Sequence, residues 1–377
     1  MKRKILYICS EVGAAHVHYA PNIIRCASRS PLLDVYAIMV EEDNFSYRPY
    51  FEDNRSGEFF FLKRFAGGWR RMAEKIYPVR ILREAKRICK THHVDAIHLL
   101  TVDYTCALIV PQLKKMAEVY YTVHDFITHE SYLKNIRERV ISSYIRLGVT
   151  CNFKQIDNLV TNSKNQYDMI KKACPGKNVY YHIFPSLVAG LIIRGNEVCP
   201  ELYDAGKYIL FFGNIDEYKG VKYLYDAFKS NDKLSEYKLV IAGKGTIYFP
   251  HACNEQHVVF INRHIKDSEV KQLFLQAACV VYPYISATQS GVLTLAYKFR
   301  TPALVSDIPF FRESSAGNCC LFFKRTDTAD LSKQLETLLF ETDISEMKAA
   351  QKEYYDRNYS DDAMISSIET VYTSNRL

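Results

Sequence analysis

The segment ACVVYPYISATQSGVLTLAYKFRTPALVSDIPFFRE, residues 278–313, decides the fold of this chain. ACVVYPY and TPALVSD are short, mostly apolar runs typical of strands covered on both faces, and GVLTLAYKF between them has helical length and apolar spacing. Gln289, Ser290 and Gly291 are therefore predicted at a helix N-terminus, where unpaired N–H groups and the helix dipole favour an anion. The alternative is an ordinary strand–helix–strand loop capped by Ser290.

Similar apolar runs recur along the whole chain, separated by longer helical patterns. In the first half they are KILYICS, LLDVYAIMV, FFFLKRF, DAIHLL, EVYYTVHD and IDNLVTNS, and in the second KYILFFGN, YKLVIAG, HVVFIN, CVVYPY, TPALVSD and CCLFF. This alternation predicts an α/β fold with two doubly wound, mostly parallel sheets facing a cleft, and ligands at the carboxyl ends of the strands.

A stretch from Val179 onward has neither helical nor strand periodicity and predicts a connection between domains. We therefore expect an N-terminal Rossmann-like domain over residues 1–185, a linker over 186–205 and a C-terminal domain over 206–355. Residues 356–377 are predicted as a C-terminal helix that packs back on the N-terminal domain.

Composition narrows the class of protein. The chain has 377 residues, 48% hydrophobic and 24% charged, and no apolar run of the ~18 residues that a membrane span requires. The N-terminus becomes polar too early for a signal peptide. Eleven cysteines without metal-ligand spacing indicate reduced thiols. We expect a cytoplasmic protein with no bound metal.

The positive charge is concentrated between Lys63 and Lys90, where ten basic residues face two acidic ones and alternate with apolar residues. Three interpretations stay open: a solvated helical face, contact with anionic lipid or a lipid-linked diphosphate, and nucleic acid. No nucleic-acid recognition motif supports the third. The residues predicted to form a membrane or acceptor surface are Arg64, Trp69, Arg70, Arg71 and Lys75.

A second segment, YILFFGNIDEYKGVKYLYDAF (208–228), reads as a strand ending at Gly213, a polar loop, and Lys219 at a helix start. Lys219 is placed to donate to a phosphate, although a lysine there is more often simply solvated. In LVIAGKG, Gly243 and Gly245 follow a third strand.

The order of these motifs resembles the retaining glycosyltransferases of family 4, which have the GT-B fold. FFGNIDEYKGV, LVIAGKG, NRHIKDSEVKQLFLQAACVVYPY, SATQSGVLTLAYKFRTPALVSD and IPFFRE follow the family's order over residues 208–313. The chain is similar to a variant with an ATQSGV loop in place of the usual Glu-rich motif. In the N-terminal half, EVGAAH and TVHD match the family more loosely.

The resemblance implies a nucleotide-sugar donor, UDP- or GDP-linked, and no cofactor. It implies catalytic roles for His124, facing the donor sugar, and for Lys219, neutralising the diphosphate; a hydrogen-bonded core histidine is the alternative for the first. The implied donor-binding residues are Gly13, Ala14, Gly213, Asn214, Lys219, Gly243, Arg263, His264, Ile265, Thr288, Gln289, Ser290, Gly291 and Val292.

Two departures from the family pattern concern charged residues. Asn214 stands where the family commonly has Arg, and the family's two glutamates fall on Ala287 and Leu295. Thr288 and Gln289 are the expected substitutes for the sugar contacts. No apolar strand ends in Asp-x-Asp, which favours metal independence.

The function expected from the sequence is transfer of a hexose-type sugar, with retention, to a lipid-linked or polysaccharide acceptor in cell-surface glycan synthesis. The enzyme would be a cytoplasmic hexosyltransferase, peripheral on the inner face of the membrane. The alternatives are a non-catalytic nucleotide-binding partner subunit of the same fold and a nucleotide-sugar epimerase. A dehydrogenase is disfavoured because SEVGAAHVH lacks G-x-G-x-x-G.

Overall fold

A computed structural model of the chain describes residues 2–12, 18–43, 45–52, 57–124, 126, 136–252, 255–287 and 290–373. It divides into two compact units. One unit consists of residues 1–185 with 361–377, and the other of residues 186–360. Each unit is built on one parallel sheet.

Thirteen strands form the two sheets within the described ranges. Those of the first unit are β1 (Arg3–Cys9), β2 (Leu33–Glu41), β3 (Glu58–Lys63), β4 (Ala96–Leu99), β5 (Glu118–Thr122), β6 (Asn158–Thr161) and β7 (Asn178–Tyr181). Those of the second are β8 (Tyr208–Phe212), β9 (Lys238–Ala242), β10 (Val258–Ile261), β11 (Cys279–Tyr282), β12 (Ala303–Ser306) and β13 (Leu321–Phe323).

Helices connect the strands in both units. They are α1 (Tyr19–Arg29), α2 (Gly68–Ile76), α3 (Val79–His92), α4 (Val110–Leu113), α5 (Ile136–Gln155), α6 (Lys164–Ala173), α7 (Gly190–Arg194), α8 (Val221–Lys229), α9 (Asp267–Leu275), α10 (Val292–Phe299), α11 (Pro309–Glu313), α12 (Thr328–Glu336), α13 (Ile344–Tyr359) and α14 (Asp361–Thr373). Short 3₁₀ turns lie at Arg48–Tyr50, Tyr104–Leu108, Pro200–Leu202, Glu217–Lys219 and Asp232–Leu234, and a π-helical turn at Thr337–Glu341.

The first sheet has the order β3-β2-β1-β4-β5-β6-β7, with all neighbours parallel. Strands β1 to β6 confirm the predicted apolar runs. Strand β7 corrects the prediction of an aperiodic connection after Val179, since Asn178–Tyr181 pairs with β6 at the sheet edge. The prediction missed it because none of its four residues is fully buried, so the strand lacks the apolar run of a covered one.

The last helix, α14, belongs to the first unit and packs beside α1. Both guanidinium nitrogens of Arg25 on α1 donate to the Asp361 carboxylate at 2.8 Å. Met364 and Ile368 enter the same hydrophobic core as Ile23. The chain therefore returns to its first unit after completing the second.

The second sheet has the order β10-β9-β8-β11-β12-β13 and is also parallel throughout. Residues 186–205, predicted as a linker, lie in this unit. Val188, Ile192 and Leu202 are buried in its core because α7 packs against α9. Side chains at the N-caps help to start the last helices: Asp327 accepts from the Asp330 N–H at 2.9 Å, which caps α12.

Both sheets reverse their strand order at one place. In the first unit β1 and β4 are neighbours, and the chain leaves them toward opposite edges of the sheet; in the second unit β8 and β11 have this arrangement. Ligands of open α/β sheets bind beyond the carboxyl ends of such strands. Each unit thus has one preferred position for a binding site. No helix of the described residues is both long and apolar enough to cross a membrane.

Candidate functional site

The switch point of the second unit brings together two loops that are far apart in sequence. Gly213 directly follows β8, and Pro283 and Tyr284 follow β11. The Ile285 N–H donates to the Tyr218 carbonyl at 2.8 Å, which ties the loop after β11 to the 3₁₀ turn that carries Lys219. The two loops therefore form one continuous lining at the carboxyl edge of the sheet.

Lys219 is buried at this edge, and its Nζ would lie 3.1 Å from a Cβ placed on Gly213. Its ammonium lies 5.2 Å from the ring centre of Tyr284. Burial by itself would lower the pKa of Lys219, but the phenol oxygens of Tyr284 and Tyr218 offset that effect and the pKa is raised. No carboxylate of the described ranges lies within 4.0 Å of Nζ. Among the described residues, the lysine is therefore a buried cation without a carboxylate in direct contact, although the more distant Asp216 also favours its charged form.

Tyr284 is a residue that the sequence analysis missed. Its side chain is 1% exposed, and its hydroxyl has no described acceptor, the Lys219 ammonium being its polar neighbour. A buried hydroxyl normally donates a hydrogen bond and an ammonium cannot accept one, so Tyr284 indicates a place for an external acceptor. The sequence feature that could have identified this site residue is a tyrosine directly after Pro283, at the end of an apolar run.

Glycine follows Lys219 for a steric reason. Gly220 has φ of +64°, and a Cβ at that position would lie 2.0 Å from the Pro283 carbonyl oxygen. Only glycine lets this turn approach the β11 loop so closely. Gly220 thereby holds Lys219 against the strand ends.

The loop after β9 extends the lining toward the next strand. Gly243 follows β9, and its N–H donates to the Ile261 carbonyl at 3.0 Å. The Gly213 N–H donates to the Ala242 carbonyl at 3.0 Å, so both glycines continue the pattern of the sheet. Gly213 and Gly243 are thus adjacent at the carboxyl edge.

The N-terminus of α10 is confirmed at the predicted place, with Gly291 at the N-cap and Val292 as the first helical residue. The N-cap residue is a glycine and has no side chain with which to cap the helix. A Cβ on Gly291 would lie 2.3 Å from Leu187 Cγ, so packing inside the unit already favours glycine there. The predicted close approach of a diphosphate to Gly291 therefore has a competing physical reason.

The positions that match the family's glutamates are apolar in structure as well as in sequence. Leu295 is buried in the core of the unit, and Ala287 packs partly buried against it. Thr288 and Gln289, the expected substitutes, lie outside the described residues. The lining that can be described is therefore formed by the lysine loop and Tyr284.

Arg263 does not offer its side chain to a ligand. Its guanidinium makes paired contacts with Glu201 at 2.8 and 2.9 Å and with Glu269 at 2.7 and 2.8 Å. These hydrogen bonds raise the pKa of Arg263. His264 is exposed and Ile265 buried, both beyond the end of β10. The Arg263 side chain is therefore occupied by Glu201 and Glu269, and a contact of this segment with a donor stays a prediction.

Asn214 is exposed beside Gly213 and provides no positive charge. A second cation does approach the same edge, because Arg325 follows β13 and its Nη1 donates to the Ile285 carbonyl at 3.5 Å. Sequence reasoning missed this residue since it lies more than a hundred positions from Lys219. Only the sheet order brings the two loops together.

In the first unit, His124 lies just beyond β5 and is partly buried. Its Nε2 lies 3.1 Å from the Leu100 carbonyl, and its ring packs edge-on against Tyr19 with centroids 5.0 Å apart. The Gln166 amide donates to the His124 carbonyl at 3.1 Å, which orients the residue. Gly13 and Ala14 lie outside the described residues.

The switch point of the first unit carries two acidic residues that the sequence analysis did not select. Asp103 is buried after β4 and accepts from the Ser10 N–H at 2.6 Å and the Thr101 N–H at 2.7 Å. Burial nevertheless raises its pKa to about 6. Glu11 follows β1, and burial raises its pKa to about 7, although the Arg64 guanidinium 3.4 Å away favours ionisation.

Arg64 corrects the surface prediction. Its side chain is buried, ion-paired with Glu11 at 3.4 Å and with Glu42 at 2.9 Å, and it donates to the Ser10 carbonyl at 2.5 Å. A charge pattern alone does not reveal that one of its members points inward. Arg71 also contacts Glu42, at 3.0 Å. Trp69 and Arg70, by contrast, are exposed.

Metal-ligand chemistry has no candidate in the described ranges, which contain no group of three or more His, Cys, Asp or Glu side chains able to hold an ion. The described part of the second switch point instead combines a buried ammonium with a buried phenol that has no described acceptor. Such a set can stabilise negative charge that develops on a phosphate.

Residues 200–356 of the chain match the model of a family described as Glycosyl transferases group 1. No curated protein matches the chain. The structure resembles Anabaena Alr3699/HepE in complex with UDP and glucose, with a TM-score of 0.68 at 13% identity over 99% of this chain and 100% of that one. It also resembles the lipopolysaccharide outer core galactosyltransferase WaaB (TM-score 0.61, 15% identity, 99% of both chains).

A protein described as a putative UDP-N-acetylglucosamine 2-epimerase from Listeria monocytogenes is similar as well. Its TM-score is 0.60 at 12% identity, over 100% of this chain and 97% of that one. At these identities the likeness concerns the fold. It confirms the predicted GT-B class, with two Rossmann-like parallel-sheet units.

Proposed function

We propose that the chain is a retaining glycosyltransferase that transfers a hexose-type sugar from a UDP- or GDP-linked donor to a lipid-linked or polysaccharide acceptor. The observation that carries the proposal is Lys219, a buried cation with no close carboxylate in the described structure, beside Gly213 and Tyr284 at a topological switch point. This lysine lies within the segment that matches the Glycosyl transferases group 1 model. UDP is present in the complex of the similar HepE structure.

In the proposed reaction the acceptor hydroxyl attacks the anomeric carbon on the face that the nucleotide diphosphate leaves. The departing diphosphate takes the hydroxyl proton, so no carboxylate pair of the glycosidase type is required. Lys219 and the Tyr284 hydroxyl would each donate to diphosphate oxygens, where negative charge grows as the glycosidic bond breaks. Because these donors are fixed in place, they act without a metal ion.

Donor binding is the first test. Calorimetric titration with UDP- and GDP-sugars, repeated with a chelator present, should reveal one donor, and a donor at about 100 times its dissociation constant should stabilise the protein by about 2.7 kcal/mol. Lys219→Met removes a charged hydrogen bond and should weaken donor binding about 10- to 100-fold. Lys244→Met is the matched control because Lys244 is an exposed lysine on the neighbouring loop after β9.

Turnover separates the proposal from its alternatives. Incubation of donor with membrane extract should transfer the sugar, and NMR should show that the anomeric configuration of the donor is kept. A donor that is epimerised without any acceptor would indicate the epimerase. Donor binding without any turnover would indicate a non-catalytic partner subunit. If neither UDP- nor GDP-sugars bind, the glycosyltransferase proposal is wrong.

A further inference from the structure

Helix α2 in the first unit turns its apolar side to solvent. Trp69, Met72 and Ile76 follow helical spacing on one side of α2, yet they are 75%, 68% and 52% exposed. The helix contributes no buried residue at all. A surface helix normally directs such a stripe at the core, so this one has an unsatisfied apolar side.

Helix α5 also exposes apolar side chains, while another part of its surface packs closely against the rest of the unit. A Cβ on Gly148 would lie 2.5 Å from the Tyr104 carbonyl oxygen, and the Asn152 amide donates to the Asp103 carbonyl at 2.9 Å. The adjoining side presents Val140 and Leu147, which are 64% and 62% exposed. Close packing on one side thus fixes the exposed apolar side in place.

The two helices are joined at the middle of this exposed region. The Tyr144 hydroxyl on α5 donates to the Lys75 carbonyl at the end of α2, with an O···O distance of 2.9 Å. Tyr144 also packs edge-on against Tyr104, with ring centroids 5.7 Å apart. We call the combined region the α2–α5 surface. Its apolar members are Trp69, Met72, Ile76, Val140, Ile141, Tyr144 and Leu147.

Positive charge surrounds the α2–α5 surface. Its exposed basic residues are Arg70, Arg139 and Arg146, and Lys75 is half-buried near Glu11. Among the side chains described for the two helices, the single acidic one is Glu74, and its Oε2 accepts from Arg80 at 2.6 Å. A second copy of the chain would oppose the same positive surface across a two-fold axis, which disfavours a homodimer. An anionic surface is the complementary partner.

We propose that the α2–α5 surface docks this protein on an anionic lipid bilayer, with the apolar side chains at the level of the headgroups and the basic ones on the lipid phosphates. The proposal deepens the proposed function and rests on it, because it assumes that the acceptor is lipid-linked. Helix α5 extends the surface beyond the basic segment that the sequence indicated. Docking requires neither donor nor acceptor, so it can be tested separately.

Trp69 makes the test direct, because it is the single tryptophan of the chain. Its fluorescence should shift to the blue when vesicles of phosphatidylcholine with about 30% phosphatidylglycerol are added, and pure phosphatidylcholine should give little shift. Sedimentation with the same vesicles gives the affinity. Replacing the exposed Arg146 by Gln should lower that affinity about fivefold, and added salt should lower it further.

Leu147→Glu tests the contribution of α5 from a helix that does not carry the reporter. It should abolish both the blue shift of Trp69 and the sedimentation, whereas Leu32→Glu, an exposed apolar residue elsewhere in the unit, should leave both intact. Equal thermal melting and equal donor affinity of the variants show that the fold and the donor site are unaffected. Binding that persists in Leu147→Glu, or that ignores lipid charge, overturns the proposal. A dimer that Leu147→Glu dissociates, without vesicle binding by the parent protein, also overturns it.

Discussion

Glu11 allows the electrostatics of the first switch point to be tested by pH. The carboxyl group follows β1, its side chain is 15% exposed, and it lies close to Arg64 and to the buried Asp103. Its hydrogen bonds are weak, with Thr105 Oγ1 3.3 Å from Oε1. We predict that the free energy of unfolding of Glu11→Gln, measured relative to the parent protein, increases from acid to alkaline pH.

The magnitude follows from the pKa. Burial raises the pKa of Glu11 from 4.5 to about 7, so between these values the unfolded chain is ionised while the folded one holds a proton. The unfolded state then binds fewer protons, and the free energy of unfolding falls as pH rises, by about 1.36 kcal/mol per pH unit. Between these two pKa values the parent protein loses about 3 kcal/mol of its free energy of unfolding, and the loss is complete above about pH 7. Glutamine cannot ionise and escapes this loss.

Urea unfolding of both proteins, followed by circular dichroism between about pH 5 and pH 8, measures the effect. Any constant difference in packing between the acid and the amide cancels when the two pH values are compared. The variant should gain up to about 3 kcal/mol on the parent protein over this range.

Asp361→Asn in the same unit is the control. Hydrogen bonds from Arg25 lower the pKa of Asp361 below its ordinary 3.8, so this group loses its stabilising effect only in more acid solution. The difference in free energy of unfolding between Asp361→Asn and the parent protein should therefore stay constant from about pH 5 to pH 8. If Glu11→Gln gives an equally flat difference, the assignment of a raised pKa to Glu11 is refuted.

Three further substitutions test the second unit. Gly220→Ala places a Cβ 2.0 Å from the Pro283 carbonyl oxygen at positive φ, so urea unfolding should show a loss of about 2 kcal/mol or more. Tyr284→Phe removes a hydroxyl without a described partner; stability should change by less than about 1 kcal/mol while calorimetry shows donor affinity about tenfold weaker. Arg263→Met leaves the buried Glu269 carboxylate without its cation and should lower the free energy of unfolding by about 3 kcal/mol.

The fold was predictable because a parallel sheet covered on both faces is encoded locally. Each run such as YILFF or CVVY is apolar at every position, and the strand it predicts is buried at nearly every residue. Strand β7 shows the limit of this signal. Asn178–Tyr181 is only partly covered at the sheet edge, so its composition resembles that of a loop.

The candidate site was predictable only where one segment carries it. Lys219 is recognisable from the strand, loop and glycine around it, and the structure places it at the switch point. Tyr284 looks like a core residue in sequence, because burial and aromatic character do not reveal that its hydroxyl lacks an acceptor among the described residues. Arg64 shows the reverse error, since its position in a basic segment conceals its burial between Glu11 and Glu42.

The two switch points differ in chemistry. The second presents Lys219 without a close described carboxylate, which suits a diphosphate. The first holds Glu11 and Asp103, whose carboxylates can accept hydrogen bonds from hydroxyl groups but whose burial raises both pKa values. Ionisation of the Glu11 carboxyl therefore costs stability as the pH rises from about 5 to about 7. Proteins commonly retain such destabilising groups where function requires them. Glu11 is therefore the residue of the first unit at which we expect a gain in stability to accompany a loss of activity.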